Sequence, residues 1–180
     1  MSTSIPRLGE IVVDASSIQR RVGELAAAID AHYAAADSPV VLLCVLKGAL
    51  LFTADLARRL TVPCEIEFVK ARSYRDGTQS SGTPQLADGG PVGLADRDVL
   101  IVEDIVDTGH TAALLHQQLA VLGARSVRLV TLLDKTARRT QSVHVDWKGF
   151  DINDRFVVGY GLDHGERYRN LADVRVLDGA

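Results

Sequence analysis

The sequence predicts an α/β protein, a mostly parallel twisted sheet with helices on both faces. Apolar runs of strand length alternate along the chain with stretches of helical period. The runs at 40–46 and 99–102 are apolar at every place, as in strands covered on both sides. Polar clusters follow one strand after another: Lys47-Gly48, Ser73-Tyr74, Glu103-Asp104 with the turn behind it, Lys135, and Asp163. In sheets of this kind ligands bind beyond the carboxyl ends of the strands.

Residues 10–14 read as a short strand. Ser16 or Ser17 can cap the helix that follows, which runs to about Ala35 with Ile18, Val22, Leu25, Ala26 and Ile29 on its apolar face. Residues 40–46 make a buried strand and 49–60 a helix, with Leu50, Leu51, Ala54, Leu56 and Ala57 apolar. Over 65–71 Ile66 and Phe68 alternate with Glu65 and Glu67, the pattern of a strand with one covered face. Residues 72–93 hold Gly77, Gly82, Gly89, Gly90, Pro84 and Pro91, and a loop of that length reads as a lid or as disordered. Later strands are expected at 126–133, 143–147, 156–160 and 174–177, with a helical turn at 167–171.

The stretch from Val99 to Leu115 organises the rest. A buried strand ends in Glu103 and Asp104, and helical spacing begins with Leu114, Leu115, Gln118, Leu119 and Leu122, stopped by Gly123. Between them lies Asp107-Thr108-Gly109-His110-Thr111. Gly109 permits a tight turn, the threonines offer hydroxyls, and a helix start offers N–H groups with partial positive charge. That is an anion site. Glu103, Asp104 and Asp107 would repel an anion unless they serve another part of the ligand. Carboxylates accept hydrogen bonds from hydroxyls and bind Mg²⁺. A ribose 5-phosphate meets both demands. An acidic, solvated helix start is the plain alternative, but two adjacent acids and a Thr-Gly-x-Thr turn exceed what capping needs.

Length and composition bound the function. The 180 residues suit a single domain, 1–180, with a real core, and a net charge of −3 gives no footprint for nucleic acid or an anionic membrane. Cys44 and Cys64 lie in apolar runs and read as reduced, buried thiols of a cytoplasmic protein. The N-terminus lacks the layout of a signal peptide, and Lys47 interrupts the longest apolar stretch, so no membrane span is expected. The five histidines form no ligand spacing with the cysteines, so zinc is not expected. Gly159, Gly161 and Gly165 have the wrong spacing for a dinucleotide fingerprint. No internal repeat is seen.

The segment 99–111 resembles the phosphoribosyl-diphosphate (PRPP) motif of type I phosphoribosyltransferases at every place: four apolar residues, two acids, two apolar residues, Asp, Thr, Gly, any residue, Thr. Residues 156–163, Phe-Val-Val-Gly-Tyr-Gly-Leu-Asp, resemble the purine-binding strand of the hypoxanthine–guanine members. The likeness spans roughly 11–177. It implies the fold of that family, with a flexible hood at about 72–93 and a small lobe from the chain's two ends. It also implies transfer of the phosphoribosyl group from PRPP to N9 of hypoxanthine or guanine, giving IMP or GMP and pyrophosphate.

Residue by residue, the resemblance makes Asp107 the acid–base group at purine N7. Lys47, Gly48, Glu103, Asp104, Thr108, Gly109, His110, Thr111 and Arg169 would bind PRPP and its phosphates. Lys47 would follow a non-proline cis peptide. Lys135, Phe156 and Val157 would bind the purine; the lysine donates to its 6-oxo group, and the phenylalanine stacks. Glu103, Asp104 and Asp163 would reach Mg²⁺. Ser73 and Tyr74 would open the hood, with Arg75 where bacterial members usually carry Gly. Arg138 and Arg139 read as surface charge. A homo-oligomer, dimer or tetramer, is expected. A xanthine–guanine enzyme, or a non-enzymatic regulator binding nucleotide and RNA on the same fold, are the other readings; the regulator should carry a basic face.

Overall fold

The structure is a computed structural model and describes residues 7–72, 85–86 and 93–179. In chain order the elements are β1 (Arg7–Val13), α1 (Ala15–Tyr33), β2 (Val40–Leu46), α2 (Leu50–Ala57), β3 (Cys64–Arg72), β4 (Gln85–Leu86), β5 (Asp98–Val106), α3 (His110–Val121), β6 (Ser126–Asp134), β7 (Trp147–Asp151), β8 (Val157–Val158) and β9 (Val174–Asp178). The main sheet runs β4-β3-β2-β5-β6-β7, parallel from β3 to β7 with β4 antiparallel at one edge. A smaller antiparallel sheet, β1-β9-β8, joins the chain's two ends into the expected lobe.

Strand period decides which helix each residue meets. Val40 and Leu42 of β2, and Leu100 and Val102 of β5, pack in one core with Ile18, Val22, Leu25 and Ile29 of α1 and Phe52 and Leu56 of α2. Their neighbours Val41, Leu43, Val99 and Ile101 pack on the other face with Ala112, Leu115 and Leu119 of α3. Each such leucine is fully buried, worth about 1.5–3 kcal/mol relative to exposure. From β2 the chain crosses by α2 to β3 on one side; from β5 it crosses by α3 to β6 on the other. Right-handed crossovers in opposite directions put their helices on opposite faces. The gap between the carboxyl ends of β2 and β5 is therefore the switch point of the sheet, where α/β proteins bind ligands.

Several elements depart from the sequence reading. Asp14, not Ser16 or Ser17, caps α1: it accepts from the Ser17 N–H at 2.9 Å, and both serine hydroxyls donate to it. An ionised carboxylate outcompetes a hydroxyl for orphan N–H groups. On α2 it is Phe52, Thr53 and Leu56 that are buried, while Leu50 and Leu51 are exposed. On β3, Ile66 and Phe68 are exposed on one face and Glu65 and Glu67 on the other, the packing of their own face stopping at Cys64. Residues 143–146 are not strand; the ladder with β6 begins at Trp147. The 156–160 run shortens to Val157–Val158, with Phe156 outside it and exposed. Residues 167–171 form turns tied by a bridge between His164 and Arg167 rather than a helical turn. Cys44 is buried, but Cys64 is only half-buried.

Candidate active site

The switch point is assembled by close backbone approach. A Cβ on Gly48 would lie 1.7 Å from an Asp104 carboxylate oxygen, and one on Gly161 would lie 2.0 Å from the Gly48 carbonyl. The loop after β2, the acids of β5 and the segment after β8 are thus stacked in one place, and only glycine lets them approach so closely. The Leu46–Lys47 peptide bond is cis, as the resemblance implies.

Glu103 is buried, and its Oε1 has no hydrogen-bond partner. Burial, and the Asp104 charge after it, push its carboxyl up to about 8. Burial likewise raises Asp104 to about 6, against the Ile105 N–H that it accepts at 3.0 Å. The turn follows at once. Gly109 stands at φ +88° and begins α3, with no side chain to cap the first N–H groups. Residues 103 and 105–112 line a cavity of about 90 Å³ there, and the His110 ring lies 3.0 Å from the Thr108 hydroxyl. Open N–H groups, two threonine hydroxyls and a helix dipole suit an anion. The acids just upstream suit hydroxyls or a hard cation.

Asp107 faces Arg138: the guanidinium Nε lies 3.3 Å from its Oδ1, without the angle of a hydrogen bond. Arg138 and Arg139 are not the free surface charges expected of them. Arg138 also reaches Asp154, and Arg139 pairs with the buried Asp134. The Thr140 and Gln141 N–H groups donate to the Thr108 carbonyl at 3.0 Å each, so this segment braces the turn.

Lys135 is buried, 5% exposed, and its ammonium lies 3.9 Å from Asp154. Its backbone N–H is tied to Val106 at 3.0 Å. That excludes a solvated lysine at a strand end. Val157 sits on β8, the edge of the small sheet. Leu177 N–H donates to the Phe156 carbonyl, which makes Phe156 and Leu177 a hydrogen-bonded pair. By the alternation of antiparallel ladders, the N–H and C=O of Val157 then point away from β9, on the open side. Phe156 is exposed and edge-on to His164, with ring centroids 5.5 Å apart. Tyr160 is locked by its hydroxyl donating to Asp55 at 2.7 Å, and burial raises its phenol well above the usual range.

Arg169 closes the arrangement. It donates to the Gly161 carbonyl at 2.7 Å and pairs with Asp163 at 2.7 Å. Lys47 pairs with Glu166 at 3.0 Å, a partner the sequence reading missed. Ser73 and Tyr74 lie outside the described residues. Among those described, no three acids gather around a common centre. Mg²⁺ typically takes only one or two carboxylates and completes its shell with substrate oxygens and water. Hard oxygen donors, with the Glu103 carboxylate lacking any partner at one oxygen, fit such an ion.

Comparison with known proteins agrees with this geometry. The phosphoribosyl transferase domain model matches residues 10–164. A hypoxanthine-guanine phosphoribosyltransferase of Mycobacterium avium is 42% identical over 172 residues, 93% of this chain and 85% of that protein. That of Bacillus subtilis is 39% identical, over 93% of this chain and 92% of its own length. The chain belongs to the hypoxanthine-guanine phosphoribosyltransferases. Among solved structures, a Staphylococcus aureus hypoxanthine phosphoribosyltransferase superposes with a TM-score of 0.87 at 37% identity, covering 94% of this chain and 91% of that one. A Trypanosoma cruzi enzyme gives 0.88 at 35%, over 98% of this chain and 94% of its own. In this phosphoribosyltransferase the matched region includes the β2 loop, the β5 acids and the α3 turn, and it ends just beyond Asp163.

Proposed function

We infer that this chain transfers the 5-phosphoribosyl group of PRPP to N9 of hypoxanthine or guanine, releasing pyrophosphate, with the switch-point residues as its site. The observation that carries the reading is the meeting of Glu103 and Asp104 with the open start of α3 beside the Gly48 loop. A ligand with phosphate at one end and vicinal hydroxyls beside it answers both.

The 5-phosphate would sit on the N–H groups and hydroxyls of Thr108–Thr111, and Glu103 and Asp104 would accept from the ribose hydroxyls. Lys47, Arg169 and the Gly48 loop would receive the pyrophosphate. Phe156 would cover one face of the purine, the backbone of Val157 would meet its edge, and Lys135 would donate to the 6-oxo group. In the reaction N9 attacks C1′ as the C1′–O bond to pyrophosphate breaks, and the electron pair leaves with the pyrophosphate. Positive charge grows at C1′ and negative charge on the leaving group, where fixed cations stabilise it. Asp107 would hold or move the proton at N7. Mg²⁺, reached by one or two of the carboxylates of Glu103, Asp104 and Asp163 and otherwise by substrate oxygens and water, would neutralise part of the pyrophosphate charge. The whole chain, 1–180, would act as one domain, with the 72–93 hood excluding water. Exposed Ile66 and Phe68 on β3 support a homo-oligomer.

The test is a panel of bases with PRPP and Mg²⁺, reading pyrophosphate release. Hypoxanthine or guanine should react, and adenine, orotate and uracil should not. Failure of every 6-oxopurine would end the enzymatic reading, and preferential turnover of xanthine would move the chain to the xanthine–guanine class.

A further inference from the structure

The two cations assigned above to the leaving group already share an anion. A single oxygen of Glu166, Oε2, lies 3.0 Å from the Lys47 ammonium and 3.4 Å from the Arg169 guanidinium. Lys47 and Glu166 are 119 residues apart, so the tertiary fold makes this contact. The Lys47 ammonium holds the Glu166 carboxyl below the usual carboxylate range, with Arg169 adding to it.

The backbone of Glu166 is anchored without help from its carboxylate. Its N–H donates to Asp163 Oδ2 at 2.8 Å, and the bridge between His164 and Arg167 closes the loop on either side of it. The residue stands at φ +65°, where glycine or asparagine would fit with less strain. Its side chain is 64% exposed and that of Lys47 52%, so the pair can open without disturbing the core. A fixed base with a swinging acid, placed on two cations, is a substitute for a phosphate oxygen.

We propose that Glu166 is the internal counter-anion of the leaving-group site: it holds Lys47 and reaches Arg169, which Asp163 and the Gly161 carbonyl fix more closely, and pyrophosphate must take Lys47 from it. This rests on the assignment of Lys47 and Arg169 to pyrophosphate. Glu166 is a positioning residue, acting through the two cations. A ligand that needs the open form binds more weakly by the fraction of molecules that are open. The same competition speeds release, because the carboxylate recaptures the cations as pyrophosphate departs. Exposed ion pairs are individually weak, so two of them set an effect of about threefold to tenfold.

The experiment measures the reverse reaction, IMP with Mg²⁺-pyrophosphate, in the full chain. Glu166→Gln keeps the shape and the N–H bond to Asp163 while removing the charge. It should lower the KM for pyrophosphate by about threefold to tenfold and leave the forward KM for hypoxanthine unaltered. Lys47→Met should raise the KM for pyrophosphate, and the gain from Glu166→Gln should shrink in the Lys47→Met background. If Lys47→Met weakens pyrophosphate but Glu166→Gln leaves it unchanged or weakens it too, the counter-anion role is wrong and the site assignment stands. If neither Lys47→Met nor Arg169→Met affects pyrophosphate, the assignment itself is wrong and the counter-anion role goes with it.

Discussion

The two edges of the parallel sheet both carry charged residues and treat their acids differently. At the edge where β5 and β6 begin, the acids are matched locally, while the Arg128 Nε is buried without a partner. Arg125 pairs with Asp37 at 2.6 Å and lies 3.4 Å from Asp98, whose other partner is the Ser126 hydroxyl at 2.6 Å. Arg128 pairs with Asp146 at 2.5 Å, and the second Asp146 oxygen takes the Leu129 N–H at 2.9 Å. At the edge where the same strands end, Glu103 keeps a buried oxygen without a partner, Asp104 is raised by burial, and Asp107 has Arg138 nearby without a hydrogen bond. Desolvated acids left uncompensated lower the stability of a fold, so they mark where it is built for something other than itself. Substitutions at the carboxyl edge should therefore change catalysis more than stability, and those at the amino edge the reverse.

The largest effect should come from Asp107→Asn, which keeps the shape and deletes the charge beside the turn. We expect kcat to fall by about 10²–10⁴-fold, the range for a general acid–base group, with a much smaller change in the KM for PRPP. Near-normal kcat would reduce Asp107 to part of the turn that braces α3.

Lys135→Gln comes next. An ammonium offers three donors and no acceptor, so it pairs with a 6-oxo group and meets a 6-amino group donor to donor. Glutamine offers both kinds. We expect kcat/KM for hypoxanthine to drop by about 10–100-fold and the hypoxanthine-to-adenine ratio to shrink, since a buried polar group discriminates most against the ligand that leaves it unpaired. Measuring both bases decides it. An unaltered ratio would leave base choice to the backbone of Val157.

How far this contrast can be read from sequence depends on how local each feature is. The PRPP turn is legible because strand, acids, glycine and helix start are consecutive, so their chemistry is written in one stretch. The α1 cap was misassigned by two or three residues because serine and aspartate offer the same kind of acceptor, and charge decided between them. Phe156 reads as core in any apolar run, and only the end of the β8 ladder exposes it. Glu166, Asp154 and the Arg138–Arg139 pair were unreadable for a different reason. Each is a charged residue outside the long helices and strands, which sequence assigns to solvent; Glu166, Asp154 and Arg138 acquire partners across a tertiary contact, and Arg139 finds Asp134 at the end of β6.

At the opposite edge, Arg128→Met should leave kcat/KM for hypoxanthine and PRPP unchanged. Asp146, 9% exposed, keeps the Leu129 N–H but loses its cation. The pair is half-open to solvent, so thermal or urea unfolding should show a loss of about 1–2 kcal/mol, below that for a fully buried pair. A comparable loss of kcat at unchanged stability would mean that the two edges are coupled and the contrast drawn above is too sharp.

The smallest effect, and the sharpest test of the amino edge as purely structural, concerns Tyr33 at the end of α1. Its ring packs edge-on against His32, with centroids 4.7 Å apart, and it is 5% exposed, yet its hydroxyl has no hydrogen-bond partner. Burial pushes the phenol up to about 12; Asp98 and Asp146 raise it further, and Arg128 and the nearby Ser126 hydroxyl, too poorly placed for a full hydrogen bond, oppose them. The neutral form is thus favoured in the folded chain more than in the unfolded one, where the phenol titrates near its ordinary value of about 10. The contribution is therefore fully present below about pH 10 and is lost as pH rises toward 12, because the unfolded chain can then ionise a group the folded chain cannot. Tyr33→Phe removes both the titration and the unpartnered hydroxyl. At pH 7 the variant should be as stable as the parent or slightly more so, since replacing a buried hydroxyl that bonds nothing removes a desolvation cost. Between pH 10 and 12 the unfolding free energy from urea titrations should fall less steeply in the variant, by up to about 2 kcal/mol of accumulated difference. Parallel curves for the two proteins would mean that the Tyr33 hydroxyl reaches solvent, and a loss at pH 7 would mean that it has a partner at this edge after all.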